Sequence, residues 1–155
     1  MKPWIAAAFA LTPMVSAQAQ TAAPPSADFT TAMPLSGSWN YAATSDGSEA
    51  NFVDASARTQ LTIRCTRATR RVSISKPATG AAPFLFVWTS TQSRNALASF
   101  DPATARLTAD LAAFDPLLDA IAFSRGRVAF SVSGTPALVV PAWSEIARVV
   151  EDCRA

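Results

Sequence analysis

The sequence predicts a mainly β fold: a two-layer antiparallel β-sandwich of about eight strands with two short helices, one of them at the C-terminus. Three observations carry this. Apolar and polar residues alternate through "TQLTIRC" and "RRVSIS", which is the period of a half-buried strand. Turn signals, Asp46-Gly47 foremost, recur at short intervals. Two segments, each introduced by a proline, switch to the helical period.

The chain opens on "MKPWIAAAFALTPMVSAQAQ": Lys2 in a short positive head, an apolar run from Trp4 to Val15, then small residues. Ala17-Gln18-Ala19 matches an export cleavage pattern, with Val15-Ser16-Ala17 as an alternative site. The run is about a dozen residues, short of the ~20 that span a bilayer. Residues 1–19 therefore read as a secretory signal peptide, and the mature form is expected without a transmembrane anchor. No cysteine lies near the cleavage site, so no lipoprotein anchor is expected either. Residues 20–36, rich in Ala, Pro, Ser and Thr, read as a flexible leader. Residues 37–155 form the single expected domain, exported to the periplasm or secreted.

Within that domain, "SWNYA" places Trp39 and Tyr41 on one strand face, and Asp46-Gly47 turns the chain into "EANFV". Leu61, Ile63 and Cys65 point inward on the next strand, as do Val72 and Ile74 on the one after "TRAT". "PFLFVWTS" is apolar at nearly every position and reads as a central strand covered on both faces. "DPAT" turns "NALASF" into "ARLTADL". In "FDPLLDAIAFSRG", Asp115 is placed to cap a helix, Pro116 to begin it and Gly126 to end it, burying Leu117, Leu118, Ile121 and Ala122. After "RVAFSV" and "ALVV", a final helix puts Trp143, Ile146, Ala147, Val150 and Cys153 on one face. It carries Glu151 and Asp152 at its negative end, so it needs outside support.

The chain has two cysteines, Cys65 and Cys153. In an exported domain they are expected to form a disulfide. Closing a loop of about ninety residues would stabilise the fold by about 4.5 kcal/mol at most. The bond would tie the final helix to the strand "LTIRC".

Composition narrows the chemistry. The chain has no histidine, which removes Ser-His-Asp and Cys-His catalysis, imidazole metal sites and histidine switches. A net charge of +2 gives no strong polyanion affinity. No cofactor, metal site or nucleic-acid partner is expected. The densest charge is in "RCTRATRR", where Arg64, Arg67, Arg70 and Arg71 have no carboxylate beside them in sequence. These four are the candidate anion- or partner-binding residues. The competing reading is a like-charged edge that discourages strand association. Arg125 and Arg127 around Gly126 read as complements to a helix terminus. Trp39, Trp88 and Trp143 read as core. Asp101, Asp110, Asp115 and Asp119 are the carboxylates from which acid-base chemistry would be built, but turn, cap and strand positions explain them.

From Leu61 onward the order of elements resembles a loose group of exported bacterial proteins. That group includes the invasion-associated locus B family and periplasmic accessory proteins of type VI secretion. The resemblance rests on "LTIRC", "RRVSIS", "FLFVWTS", "DPLLDAIAFSRGR", "VAFSVSG" and the late cysteine in "EDCR". It implies a small disulfide-containing β-sandwich with an accessory role at the envelope, and it transfers no catalytic residue. The expected function is a non-enzymatic interaction module that binds an envelope protein or an anionic ligand. The alternatives are a hydrolase inhibitor presenting "ASFDPATAR" and a carboxylate-based hydrolase.

Overall fold

The computed structural model describes residues 28–155; the signal-peptide reading and residues 20–27 of the leader lie outside the described residues. Nine strands follow the chain: β1 (Gly37–Thr44), β2 (Gly47–Asp54), β3 (Thr59–Thr66), β4 (Arg71–Pro77), β5 (Phe84–Trp88), β6 (Ser93–Asp101), β7 (Arg106–Ala112), β8 (Val128–Ser131) and β9 (Leu138–Val140). Helix α1 (Pro116–Ala122) lies between β7 and β8, and α2 (Ser144–Arg154) closes the chain. The mainly β class with a C-terminal helix is as the sequence predicts.

The sandwich takes a different form. All strands join one antiparallel sheet in the order β1-β2-β3-β4-β7-β6-β5-β8-β9, curled into a half-barrel. Its corner is β6, which pairs with β5 through Ser93–Leu97 and with β7 through Ala98–Asp101. One strand thus serves both walls, so the walls are continuous rather than two separate layers. Curling also brings the two ends of the sheet together. The Trp39 indole N–H donates to the Pro141 carbonyl at 2.8 Å, and the Leu35 N–H donates to the Val139 carbonyl at 2.8 Å.

Strand alternation sets the core. Register rungs such as Trp39–Phe52–Leu61 and Ala50–Ile63–Ile74–Ala109 run across the inner face and are all buried. The α2 helix packs on β1–β3 and α1 through Ile146, Val149, Val150 and Cys153. Val149 joins the stripe that periodicity predicts. Trp143, by contrast, sits at the N-cap and is 45% exposed, because the chain has not yet entered the helix there. Trp88 is half-buried against Phe29, so among the described residues only Trp39 is a true core tryptophan. Strand β5 buries Leu85 and Val87 but leaves Phe84, Phe86 and Trp88 on a partly open face, so it is covered on one side only.

The turns follow local chemistry. The β1–β2 hairpin turns through Ser45-Asp46, with Thr44 paired to Gly47. Gly47 is required by close approach: a Cβ there would collide with the Cys65 carbonyl oxygen. Asp115 caps α1 by accepting from the Leu117 N–H at 2.9 Å, with Pro116 first in the helix. The helix stops at Ala122, three residues earlier than the glycine signal indicates. Gly126, at φ +75°, instead serves the turn into β8, and Arg127 bonds the Ala32 carbonyl rather than a helix terminus.

Cys65 and Cys153 form the expected disulfide, with Cα atoms 5.4 Å apart and a sequence separation of 88. It ties the inner face of β3 to the last turn of α2. The Cys65→Ala/Cys153→Ala variant is expected to lose about 2–5 kcal/mol of stability in denaturant unfolding. An unchanged unfolding midpoint would show that the crosslink does not bear on α2.

Candidate functional site

Strands β3 and β4 are joined by one 3-10 turn, Arg67–Thr69, whose capping residue Arg70 has φ +48° and ψ +48°. A left-handed backbone is unfavourable for a residue with a Cβ, so the turn is held from outside. The Arg70 N–H donates to Arg67 O at 3.1 Å, Ala113 N–H donates to Arg70 O at 2.9 Å, and Arg67 N–H donates to Asp46 O at 2.9 Å. The disulfide lies directly beneath, with the Cys153 sulfur 3.3 Å from the Arg71 carbonyl oxygen.

The four sequence-selected arginines separate in space. Arg64 lies on the outer face of β3 and bonds Asp46 at 2.6 Å and Glu49 at 3.1 Å. Both carboxylates come from the β1–β2 hairpin, distant in sequence, and they correct the expectation that Arg64 stands without an acidic neighbour. The Asp46 carboxylate foremost raises the Arg64 pKa, and the Arg64 guanidinium, followed by the Thr44 hydroxyl, holds the Asp46 carboxyl low in return. Arg64 also anchors a polar ladder across the outer face. Glu49 accepts from Asn51, Asn51 accepts from Thr62, Thr62 accepts from Arg106, and Arg106 also donates to Ser75. We therefore assign Arg64 to the fold.

Arg67, Arg70 and Arg71 remain together at the turn. All three are exposed, and none pairs with a carboxylate among the described residues. Arg71 donates to the Asp110 carbonyl at 2.9 Å. Two groups that sequence reasoning did not select complete this corner. Arg154, at the end of α2, donates to the Ala113 carbonyl and to Asp119, both at 2.8 Å. Its guanidinium lies 5.4 Å from the centre of the Phe114 ring, and Phe114 is 63% exposed.

On the other flank, Tyr41 donates to Asp152 at 2.7 Å, and Arg148 stacks 3.9 Å over the Tyr41 ring. Burial works to raise the Asp152 pKa, but the Tyr41 hydroxyl and the charges of Arg67 and Arg148 outweigh it and hold the carboxyl low. The buried Ser48 hydroxyl adds to that field, yet it meets hydrogen-bond geometry with no group. An open groove of about 640 Å³ runs beside this network, lined by Tyr41, Ser144, Glu145, Ala147, Arg148 and Glu151. Its lining sets two carboxylates, Glu145 and Glu151, against one guanidinium, Arg148.

The four candidate carboxylates are occupied or isolated. Asp101 accepts from the Ala103 N–H and the Thr104 hydroxyl, Asp115 caps α1 and pairs with Arg94 at 2.8 Å, and Asp119 pairs with Arg154. Asp110 faces outward on β7. Where a carboxylate pKa shift is resolved, as for Asp101 and Asp115, it is downward, opposite to what a general acid needs. Among the described residues no cluster of metal-binding side chains forms, and no helix is long and apolar enough to cross a membrane. No family model, curated protein or solved structure matches the chain.

One cation sits apart. Lys76 lies on the inner side of β4, 7% exposed, with its ammonium donating to the Pro77 carbonyl at 3.1 Å and bonded to no carboxylate among the described residues. Burial, and then the Arg106 charge, lower its pKa. Because the folded pKa lies below the unfolded value of about 10.4, the unfolded chain binds more protons between the two. Stability should therefore rise with pH through the folded pKa and level off near the unfolded one. Lys76→Met is expected to gain about 1 kcal/mol or more at neutral pH and to lose that alkaline rise. Parallel stability–pH curves for the two proteins would contradict the assignment.

Proposed function

We propose that the protein is an exported, non-enzymatic binding module whose contact surface is the corner formed by Arg67, Arg70 and Arg71. The observation that carries this reading is the pairing of three exposed guanidinium groups, none in a direct ion pair among the described residues, with a turn held against its own backbone preference. Guanidinium groups on a fixed frame lose little entropy on meeting an anionic partner. A disulfide packed beneath the turn, its Cys153 sulfur 3.3 Å from the Arg71 carbonyl oxygen, supplies the frame. That bond also fits an oxidising compartment, and the export pattern of the first twenty residues supports periplasmic or secreted placement. The resemblance to envelope accessory proteins agrees with this role.

Arg70 allows fold and binding to be separated. Arg70→Gly removes the charge and relieves the left-handed strain, so it should hold or raise stability by up to about 1 kcal/mol. In co-purification from envelope extracts, Arg67→Ser/Arg70→Gly/Arg71→Ser bait is expected to lose at least tenfold in captured partner, while Arg58→Ser bait retains it. Full capture by the folded triple variant would contradict the reading.

A second reading draws on the β6–β7 loop. Asp101 binds its own turn, and Ala105 closes it at φ +51°, which makes an exposed, internally braced tip suited to a hydrolase cleft. Inhibition of a muramidase or protease at micromolar excess would support this reading, and none across a panel would remove it.

A further inference from the structure

The arginine corner has an apolar component that a purely electrostatic contact would not require. Phe114 and Phe123 flank α1 and are 63% and 71% exposed, while the other face of the helix buries Leu117, Leu118 and Ile121. The helical period places Phe123 opposite that buried stripe. Phe114 adjoins the arginine turn through the backbone, since its neighbour Ala113 donates to the Arg70 carbonyl, and the Arg154 guanidinium lies 5.4 Å from its ring centre. Exposed aromatics beside arginines at a solvent boundary are the composition of an interfacial anchor.

We propose that this corner docks on an anionic lipid bilayer, with Arg67, Arg70 and Arg71 meeting headgroup phosphates and Phe114 entering the interfacial layer. This rests on the reading of the corner as the contact surface and names the class of partner. The two phenylalanines are separated by α1, on the order of 10 Å along its axis. They project outward, so a folded partner would need two matched pockets. A fluid surface accepts separated convex anchors without any. No neighbouring carboxylate pairs directly with the three arginines among the described residues: Asp115 is bonded to Arg94, Asp119 to Arg154 and Asp152 to Tyr41, while Asp152 and Asp115 feel the Arg67 and Arg71 charges only at a distance. Asp110 and Glu151 are exposed and moderate the field without engaging the arginines. Each arginine near an anionic surface strengthens association about fivefold, so three together contribute about a hundredfold. Docking of this strength is reversible and salt-sensitive.

The test is sedimentation of the disulfide-bonded protein with vesicles of phosphatidylcholine alone or with about 30% phosphatidylglycerol, an anionic fraction high enough to set a surface potential. Binding is expected only with the anionic lipid. It should fall about a hundredfold in Arg67→Ser/Arg70→Ser/Arg71→Ser and about fivefold in Phe114→Ser, which alters no charge. Arg58→Ser, away from the corner, should bind as the parent does. Equal binding to both vesicle types, no binding to either, or no effect of Phe114→Ser would overturn the proposal. Binding to a polyglutamate peptide but not to vesicles would also overturn it while leaving the arginine corner as a protein-binding surface. Vesicle binding and partner capture that both survive the triple substitution would remove both readings.

Discussion

The covalent tie between Cys65 and Cys153 is the constraint from which the other features of this molecule follow. Helix α2 has eleven residues, too few to persist alone in water. It also ends with Glu151 and Asp152 where the helix dipole disfavours negative charge. The disulfide fixes that end onto β3, and Arg154 adds a compensating positive charge bonded to Ala113 and Asp119. Tyr41 draws Asp152 away from the helix terminus into a defined hydrogen bond. With α2 held, its apolar stripe completes the inner face of the curled sheet.

Curvature then resolves the problem of sheet edges. A nine-stranded antiparallel sheet has two edges that can pair with other chains. By sharing β6 between two neighbours, the sheet bends until its first and last strands come close, and Trp39 and Leu35 bond across to the region of β9. Across β2, β3, β4 and β7 the outer face carries a hydrogen-bonded ladder from Arg106 to Asp46. The arginine turn sits where this outer ladder, the disulfide and the end of α2 converge. Its rigidity is therefore a consequence of the fold.

Much of this was legible in the residues themselves. Strict alternation places Cys65 inward beside Val72, and the same alternation continued two residues past Ile74 puts Lys76 inside, a signal available without coordinates. The Asp115-Pro116 start of α1 is a local capping event and was readable for that reason. Long-range relations were not readable. The ion pairs that claim Arg64 come from Asp46 and Glu49, at positions no local pattern connects to it. The division of β6 between two partners depends on how the whole sheet closes, so a sandwich and a curled sheet share one pattern of alternation. The exposure of Trp143 and Phe114 depends on where α2 and α1 come to rest, not on hydrophobicity. Arg154 enters the corner only because the disulfide brings the end of the chain there.

The most direct measurement of this account is amide hydrogen exchange on the oxidised and the reduced protein under native conditions. If the crosslink holds both α2 and the arginine turn, reduction will accelerate exchange together in Val149–Arg154, at Arg70 and at Ala113, while the rungs of β2 and β3 stay protected. Unchanged protection in the last turn of α2 after verified reduction would contradict it, since packing alone would then suffice to hold the helix and the turn in place.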